Sequence, residues 1–391
     1  MMLLALMLAC KAPVPAAERG PEVRFRPAEV APNDDAAELL SRVPNATWDL
    51  GLARAASLLT AAGRDPAARL SPLAVATALG EAGYPGPASF ARELNGGAFP
   101  EQMVAEMVTV ALQRQQPVDV AISRRNYADG TVLWIGGIAH RPALLDAIDR
   151  DPPLDELLPV LVEPLQDLAA LTLFVASPEG PVRAMPLKPL QARWVEGLNV
   201  PGPWRFEVVA DDGKGGDAQV VLLWSNYVDS EPPPMPTLLR PSTMADDPMA
   251  ATEQLYAALD SLRDAAGLPR LKHFEPYEEL AREHAALMAA SGQVAHVLST
   301  GASVAGAAGQ RYHPAATHQE DVAAAANWEE ARELVELSPG HRRVLLCESC
   351  THVAIGAALE PTLDAVPRLF VVWELLSFPN GEPRSVDRTQ R

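Results

Sequence analysis

The period of the hydrophobic pattern changes twice along the chain. Apolar residues follow a helical period from about residue 35 to 110, alternate with polar residues between about 154 and 228, and return to the helical period after 248. These changes predict three structured units, which are a helical domain at 35–150, a β-rich domain at 154–231 and a second helical domain at 248–380.

Two strand-like runs close the first unit. Residues 118–122 and 131–135 are apolar or alternating, and a turn that contains Asp129 and Gly130 separates them. Together with the helical pattern before them, they predict a helical plus hairpin domain at 35–150.

This hairpin is similar to the end of the third unit. The order of strand, turn and strand with a tryptophan, seen at Val120 and Trp134, recurs at Val353 and Trp373. We therefore expect residues 35–150 to be a degenerate copy of the C-terminal domain. His140 is the only histidine in the first 272 residues, so no two-histidine site can form in this unit.

The second unit has the pattern of a strand-rich domain. About six short runs are separated by turns rich in proline, glycine and aspartate, with no helical period between them. They predict a small, immunoglobulin-like β-sandwich at 154–231 whose tryptophans belong to the core. The proline-rich start of residues 232–247 predicts a semi-rigid linker.

The third unit combines helices with strands. Apolar helical faces begin near Leu255, Leu280 and Ala323, and two strands are expected at 353–359 and 369–375. Helices packed against hairpin-linked strands predict an α+β fold for this unit.

The overall charge excludes one class of partner. The formal net charge of the 391 residues is -18. Because the phosphate backbone of nucleic acids is bound through concentrated Lys and Arg, this charge argues against nucleic-acid binding.

The N-terminus has the features of an export signal. Residues 1–10 are an apolar run that is too short to span a bilayer and that ends in Cys10. This run resembles a bacterial lipoprotein signal, so we expect Cys10 to be lipidated and residues 11–34 to be a flexible tether. The alternatives are a misplaced start codon and a buried N-terminal helix.

The other two cysteines, Cys347 and Cys350, lie close together in the sequence. A zinc ribbon needs a second pair, and a thioredoxin-like motif needs a helix N-terminus beside one thiol. We favour a structural disulfide, formed in an oxidising compartment, over free thiols.

The residues with the clearest chemistry lie in the third unit. His284 and His296 are twelve residues apart, and Glu320 and His341 follow. Imidazoles and a carboxylate at separate points of one domain are the side chains that a metal site or an acid/base site needs.

The order of these motifs resembles the CAP superfamily of SCP-like secreted proteins. Members have a helix that contains a first histidine and runs into a loop with a second, then G-E-N, then S-P-G-H-R before a strand. The matching segments here are Arg263 with Gly267-Leu268-Pro269, His284 to His296 with Met288 and Gly292 between them, Gln319-Glu320-Asp321, Ser338-Pro339-Gly340-His341-Arg342, and Val353. The resemblance covers about residues 248–380 and implies an α-β-α sandwich.

The resemblance also implies a site. Two histidines and two glutamates of the family converge in an open cavity that can bind a divalent cation. Three of them match His296, Glu320 and His341, and the place of the second glutamate falls at Ser338. The resemblance therefore implies a site for zinc or another divalent cation with two imidazoles and one carboxylate.

Several substitutions weaken the match around this site. Gln319 and Asp321 flank Glu320 where relatives have Gly and Asn, and Val335 replaces a tryptophan. The alternative to a binding cavity is a hydrogen-bonded cluster that only braces loops against helices. On its apolar helical face, His284 is expected to be a buried, hydrogen-bonded histidine.

A few other polar residues lie near the matched positions. His313 and His318, before Glu320, are candidates to supplement the site. Ser299 and Thr300 have no base at an identifiable spacing, which leaves a serine-hydrolase interpretation without support.

Three functions are compatible with these features. We favour a lipid-anchored protein of the bacterial cell envelope, whose C-terminal domain binds an envelope polymer, a lipid or another protein, with or without a divalent cation. The alternative is a metal-dependent hydrolase that acts on envelope polymer, peptide or ester through His296, Glu320 and His341. A purely structural module is the third possibility.

Overall fold

The computed structural model describes residues 22–28, 33–63, 65, 68–114, 117–211, 219–236, 238, 247–296, 298, 317–360 and 368–378. The expectations for Cys10, Ser299, Thr300 and His313, and for most of the tether and much of the linker, lie outside these residues. Within them, no helix is long and apolar enough to cross a membrane.

The N-terminal domain is built from helices around a four-stranded sheet. Its elements are α1 Asp34–Arg42, β2 Ala46–Trp48, α2 Leu50–Ala62, α3 Pro72–Ala82, β3 Ala88–Asn95, α4 Glu101–Arg114, β4 Val118–Asn126 and β5 Val132–His140. The strand order is β2-β4-β5-β3, in which β2 is parallel to β4 and the other pairs are antiparallel. Side chains cap three of the helices, since Asn33, Asp49 and Ser71 accept hydrogen bonds from the first-turn N–H groups.

Strands are the regular elements of the middle domain in its described residues after 154. Its elements are β8 Leu158–Val160, β9 Val162–Pro164, β10 Ala170–Ala176, β11 Val182–Leu187, β12 Arg193–Val195, β13 Gly202–Asp211 and β14 Gln219–Val228. Four of them form an antiparallel sheet in the order β11-β10-β13-β14, and β12 pairs with β8.

The boundary between the first two domains is crossed by a strand pair. β6 (Ala143–Leu145) pairs with β9, while β7 (Ile148–Asp149) pairs with β1 (Glu22–Val23). Residues 143–164 therefore connect the two domains by backbone hydrogen bonds, whereas the sequence pattern placed a division at 150–154.

The C-terminal domain has its sheet between two layers of helices. Its elements are α5 Pro248–Ala265, β15 Lys272–His273, α6 Glu275–Ser291, β16 Thr317–Ala325, α7 Trp328–Leu337, α8 Pro339–Leu345, β17 His352–Leu359 and β18 Leu369–Ser377. Alternate residues of β18 divide between the layers, because Phe370 and Val372 pack with α6 while Val371 and Trp373 pack with α5 and α7. The predicted α+β class and α-β-α arrangement are confirmed.

One glycine allows α6 to lie directly on the sheet. A Cβ atom on Gly356 of β17 would stand 2.2 Å from the backbone nitrogen of Arg282. At the C-terminal end of α6, Gly292 has the left-handed conformation, with φ 67°, and ends the helix. The loop that follows it leads to His296.

The sheet of the C-terminal domain has the order β15-β17-β18-β16, with β15 parallel to β17 and the other pairs antiparallel. This is the order and the set of directions found in the N-terminal sheet. Both domains also place a helix immediately after the short parallel strand, α2 in one and α6 in the other. The proposal that residues 35–150 are a degenerate copy of the CAP-like fold rests on this shared topology.

Some elements differ from the expectation. β2 and β3 lie in a stretch where only helices were predicted, and residues 317–325 form a strand although Ala323 was placed on a helical face. Alanine has a low preference for strands, but the pairing of β16 with β18 and the burial of Ala323 and Ala325 override it. The helical face begins instead at Trp328.

Candidate functional site

Four elements of the C-terminal domain bring polar side chains together. His284 lies on α6, His296 in the loop after it, Glu320 on β16, and Glu374 on β18 directly opposite Glu320 in the strand register. Because paired residues of neighbouring strands share a face of the sheet, the two carboxyl groups lie on the side covered by α6.

Glu320 is the centre of this cluster. Its Oε2 atom lies 3.0 Å from Nδ1 of His284, and its Oε1 atom lies 2.7 Å from Nδ1 of His296. Burial alone would raise the pKa of Glu320, but the hydrogen bonds from His284 and His296 lower it to about 2. Glu320 is therefore ionised at neutral pH, with both oxygens engaged.

His284 is fully buried and has a hydrogen-bond partner at each ring nitrogen. Its Nε2 atom lies 3.0 Å from the carbonyl oxygen of Ala295, which only accepts, and its Nδ1 faces ionised Glu320. The carbonyl oxygen fixes an N–H on Nε2, and Nδ1 is paired with the carboxyl group of Glu320. His296 differs, because 40% of its side chain is exposed.

Glu374 and Asp321 are buried carboxyl groups with no cationic partner in direct contact. Burial and the negative charge of Glu320 raise the pKa of both well above its usual range. A hydrogen bond between the carboxyl groups of Glu374 and Glu320 raises the pKa of Glu374 further. These effects favour the protonated form of Glu374 beside the ionised Glu320.

His341 lies at the start of α8 and is held by Ser338, the residue that caps this helix. Nδ1 of His341 lies 2.7 Å from Oγ of Ser338. Burial and the charge of the nearby His296 lower the pKa of His341. His296 is therefore close enough to His341 to act on it electrostatically.

A carboxylate from the middle domain also reaches this position. Oε2 of Glu207, on β13, accepts hydrogen bonds from Oγ of Ser338 at 2.8 Å and from the backbone N–H of Gly340 at 2.7 Å. Glu207 is 1% exposed. The N-terminal domain also contacts the C-terminal domain, since the N–H of Leu73 donates to Glu333 on α7.

The three predicted metal ligands make other contacts in this arrangement. No group of three or more His, Cys, Asp or Glu side chains in the described part of the chain is placed to hold a metal ion. The carboxyl group of Glu320 is hydrogen-bonded to His284 and His296, and the ring of His341 is hydrogen-bonded to Ser338. Cation binding by His296, Glu320 and His341 stays a prediction.

The other predicted residues lie apart from this cluster. His318 is exposed on β16. Two surface grooves, of about 450 and 620 Å³, are lined by Phe90 and Arg92 in the N-terminal domain and by the acidic outer face of α6. Neither groove contains Glu320.

Cys347 and Cys350 form the predicted disulfide. The guanidinium of Arg263 donates to the carbonyls of Leu345, Cys347 and Pro269 and so fixes the segment between α8 and β17. The disulfide prediction is confirmed, and the arginine of the family motif has a structural role here.

Residues 256–373 match the model of the CAP, or cysteine-rich secretory protein, family. This chain carries a CAP domain. The resemblance expected from the sequence is confirmed, and the matched residues include Glu320, His341 and the disulfide. No curated protein sequence matches the chain.

Three solved bacterial structures are similar at low TM-scores. An outer surface protein from Borrelia burgdorferi is 20% identical, with 34% of this chain and 95% of that chain covered and a TM-score of 0.29. An extracellular protein containing an SCP domain from Bacillus anthracis is 13% identical, with 61% and 86% covered and a TM-score of 0.29. A cysteine-rich secretory protein from Staphylococcus aureus is 12% identical, with 61% and 86% covered and a TM-score of 0.27.

Sequence reasoning about the CAP domain missed Glu207 and Glu374. Each is a single acidic residue inside an apolar strand, at Phe206-Glu207-Val208 and Trp373-Glu374-Leu375. Such a residue is a detectable signal, because an isolated carboxylate is rarely buried without a purpose or a partner.

Proposed function

We propose that the CAP domain is a binding domain, and that its binding cleft is formed by His296, Glu320 and His341. The observation that carries this proposal is the state of Glu320, which is ionised, largely buried and hydrogen-bonded through both oxygens to His284 and His296. This arrangement holds the half-exposed His296 in one orientation, which suits recognition of a ligand at the surface of the cleft.

The same state argues against Glu320 as a general base. A general base works best with a pKa near the operating pH, whereas the pKa of Glu320 is lowered to about 2. Its oxygens are already engaged by two imidazoles. Binding is therefore better supported than hydrolysis.

A divalent cation is the second element of the proposal. Histidines that bind metals usually have their other ring nitrogen fixed by a carboxylate or another polar group. Nδ1 of His296 is hydrogen-bonded to Glu320, and Nδ1 of His341 is hydrogen-bonded to Ser338. A cation would accordingly be held by His296 and His341, with Glu320 orienting the first ring. Zinc would supply Lewis acidity there, which keeps the metal-dependent hydrolase as the alternative.

We further propose that the chain acts outside the cytoplasm, anchored to a membrane of the bacterial cell envelope through Cys10. The disulfide between Cys347 and Cys350 supports an oxidising compartment. The ligand would then be an envelope polymer, a lipid or another protein, and not a nucleic acid, given the net charge of -18.

Calorimetric titration of zinc into the full chain tests the cleft. The protein would carry Cys10→Ser to avoid lipidation, and the variants His296→Ala and His341→Ala would be compared with His273→Ala, which lies on β15. We expect one site that both cleft variants abolish and that the control retains. The absence of heat with the unchanged cleft would contradict cation binding.

A substrate assay separates binding from hydrolysis. Peptidoglycan, peptide and ester substrates would be offered to the zinc-loaded chain and to Glu320→Gln. We expect no turnover by either. Turnover that Glu320→Gln abolishes would establish the hydrolase instead.

A further inference from the structure

The contact between Glu207 and the start of α8 joins two domains at the cleft. Glu207 lies on β13 of the middle domain, 131 residues before Ser338, and receives the Ser338 hydroxyl and the Gly340 N–H on one oxygen. Gly340 leaves space for it, because a Cβ atom there would stand 3.3 Å from both carboxylate oxygens. The side chain is 1% exposed, so the contact excludes water.

A second contact holds the same helix against the middle domain. The guanidinium carbon of Arg343 lies 5.4 Å from the centre of the Phe174 ring, on β10. The helix that carries His341 is therefore attached to the β13-β10 sheet at two points.

The direction of each hydrogen bond follows from the groups involved. A hydroxyl has one proton, and Ser338 donates it to Glu207. At the 2.7 Å contact with His341, Oγ of Ser338 therefore accepts, and Nδ1 of His341 donates. A neutral imidazole ring has one N–H. That single proton lies on Nδ1, and Nε2 is left as an acceptor or metal-ligating atom.

We propose that Glu207 is a positioning residue of the CAP cleft, which fixes the tautomer of His341 through Ser338. The middle domain thus supplies, from outside the CAP domain, a carboxyl group in contact with Ser338, the residue that stands where the family resemblance expects a second glutamate. The consequence for ligand binding rests on the function proposed above. The tautomer itself does not.

The tautomer is measurable by ¹⁵N NMR of the full Cys10→Ser chain labelled at histidine. At about pH 8, above the ordinary pKa of histidine, the shifts of the two ring nitrogens show which one is protonated. His341→Gln would identify the signals. We expect the proton of His341 on Nδ1. If Glu207 and Ser338 are unchanged and the proton of His341 is on Nε2, the proposal is wrong, and no variant is needed to show it.

Three variants test the part played by Glu207. Glu207→Met removes the acceptor with little change in volume, so the Ser338 proton is free to turn to Nδ1 and the His341 proton moves to Nε2. Glu207→Gln retains an acceptor oxygen and keeps the proton on Nδ1. Glu179→Met, at an exposed position of the same domain, is the matched control and changes nothing. An unchanged tautomer in folded Glu207→Met would refute the role of Glu207.

Zinc titration gives a second readout. Loss of a group that orients a metal-binding histidine typically costs about 10- to 100-fold in metal affinity, so Glu207→Met is expected to weaken zinc binding by that factor while Glu207→Gln does not. If the unaltered cleft binds no zinc, the cation proposal fails, and the tautomer measurement still decides the role of Glu207.

Discussion

The N-terminal and CAP domains share a sheet order but differ where the polar cluster lies. The sixth residue of the last strand is Glu374 in the CAP domain and Gly137 in the N-terminal domain, and their cross-strand partners are Glu320 and Phe90. In the N-terminal domain the ring of Phe90 covers the glycine, since a Cβ atom there would stand 2.8 Å from it.

The helices show the same difference. The tenth residue is His284 in α6 and Leu59 in α2, and both are fully buried. One sheet order is therefore stable with an apolar set and with a charged, hydrogen-bonded set at equivalent positions. Because burying charges costs free energy that an apolar set does not, the cluster in the CAP domain points to function more than to fold stability.

The largest effect is expected from Glu320→Ala. This change leaves the rings of His284 and His296 without the carboxylate that they share, and breaking a buried pair in this way costs about 3–5 kcal/mol. Hydrogen exchange of β16 and β18, read by mass spectrometry, would show faster exchange limited to the CAP domain. Glu283→Ala, at an exposed position of the same helix as His284, is the control. Equal exchange in both variants would contradict the ion pair.

Moving the apolar set into the CAP domain tests the equivalence directly. The triple variant His284→Leu, Glu320→Phe and Glu374→Gly should recover stability relative to Glu320→Ala, since replacing buried ion pairs by apolar residues is often neutral or stabilising by about 1–4 kcal/mol. Zinc binding should be lost. Thermal unfolding measures the stability of both variants. A lower melting temperature for the triple variant than for Glu320→Ala would show that the apolar set cannot replace the polar set in the CAP domain.

Gly356→Ala tests how closely α6 lies on its sheet. The new methyl group would clash with the backbone of α6 at Arg282 and should destabilise the CAP domain by about 1–3 kcal/mol. Gly96→Ala in the N-terminal domain is the control. It is the same substitution, and a Cβ atom on Gly96 would meet no atom within 4 Å. Similar melting temperatures for the two variants would contradict the close packing.

The smallest effect concerns the pH dependence of Glu374→Gln. The raised pKa of Glu374 means that its protonated form is favoured by folding, so stability is full below the pKa of the unfolded state and falls as pH rises above it. A permanently neutral glutamine removes this loss, at about 1.4 kcal/mol per unit of pKa difference. The variant should therefore be more stable at neutral pH and equal to the parent below about pH 4, the usual range of glutamate. Denaturant titrations across this range give the free energy of unfolding of the variant and of the parent at each pH. A difference between the two that does not change with pH would contradict a raised pKa of Glu374.

Local patterns predicted much of the CAP domain. The spacing of apolar residues indicated α5 and α6, apolar runs indicated β17 and β18, and the close cysteine pair indicated the disulfide. These features depend on neighbours in the sequence. β16 was missed because three consecutive alanines end it, and only pairing with β18 keeps them extended.

The site was predictable only in part, for a related reason. Motif spacing predicted a site at His296, Glu320 and His341, but Glu374 lies beside Glu320 through a strand register that spacing does not reveal. Glu207 comes from another domain altogether. Contacts between domains leave no periodic signal, and the sequence offered only an acidic residue in an apolar strand.

The contact between Glu207 and Ser338 also restricts how related sequences can vary. A glutamate at position 338 would face the buried carboxylate of Glu207, which now lies 2.8 Å from the Ser338 hydroxyl. Two buried carboxylates at that separation repel each other, so one must be lost or protonated. We expect relatives that share the middle domain to carry an acidic residue at position 207 or at position 338 but not at both, and the two sites to change together over evolution.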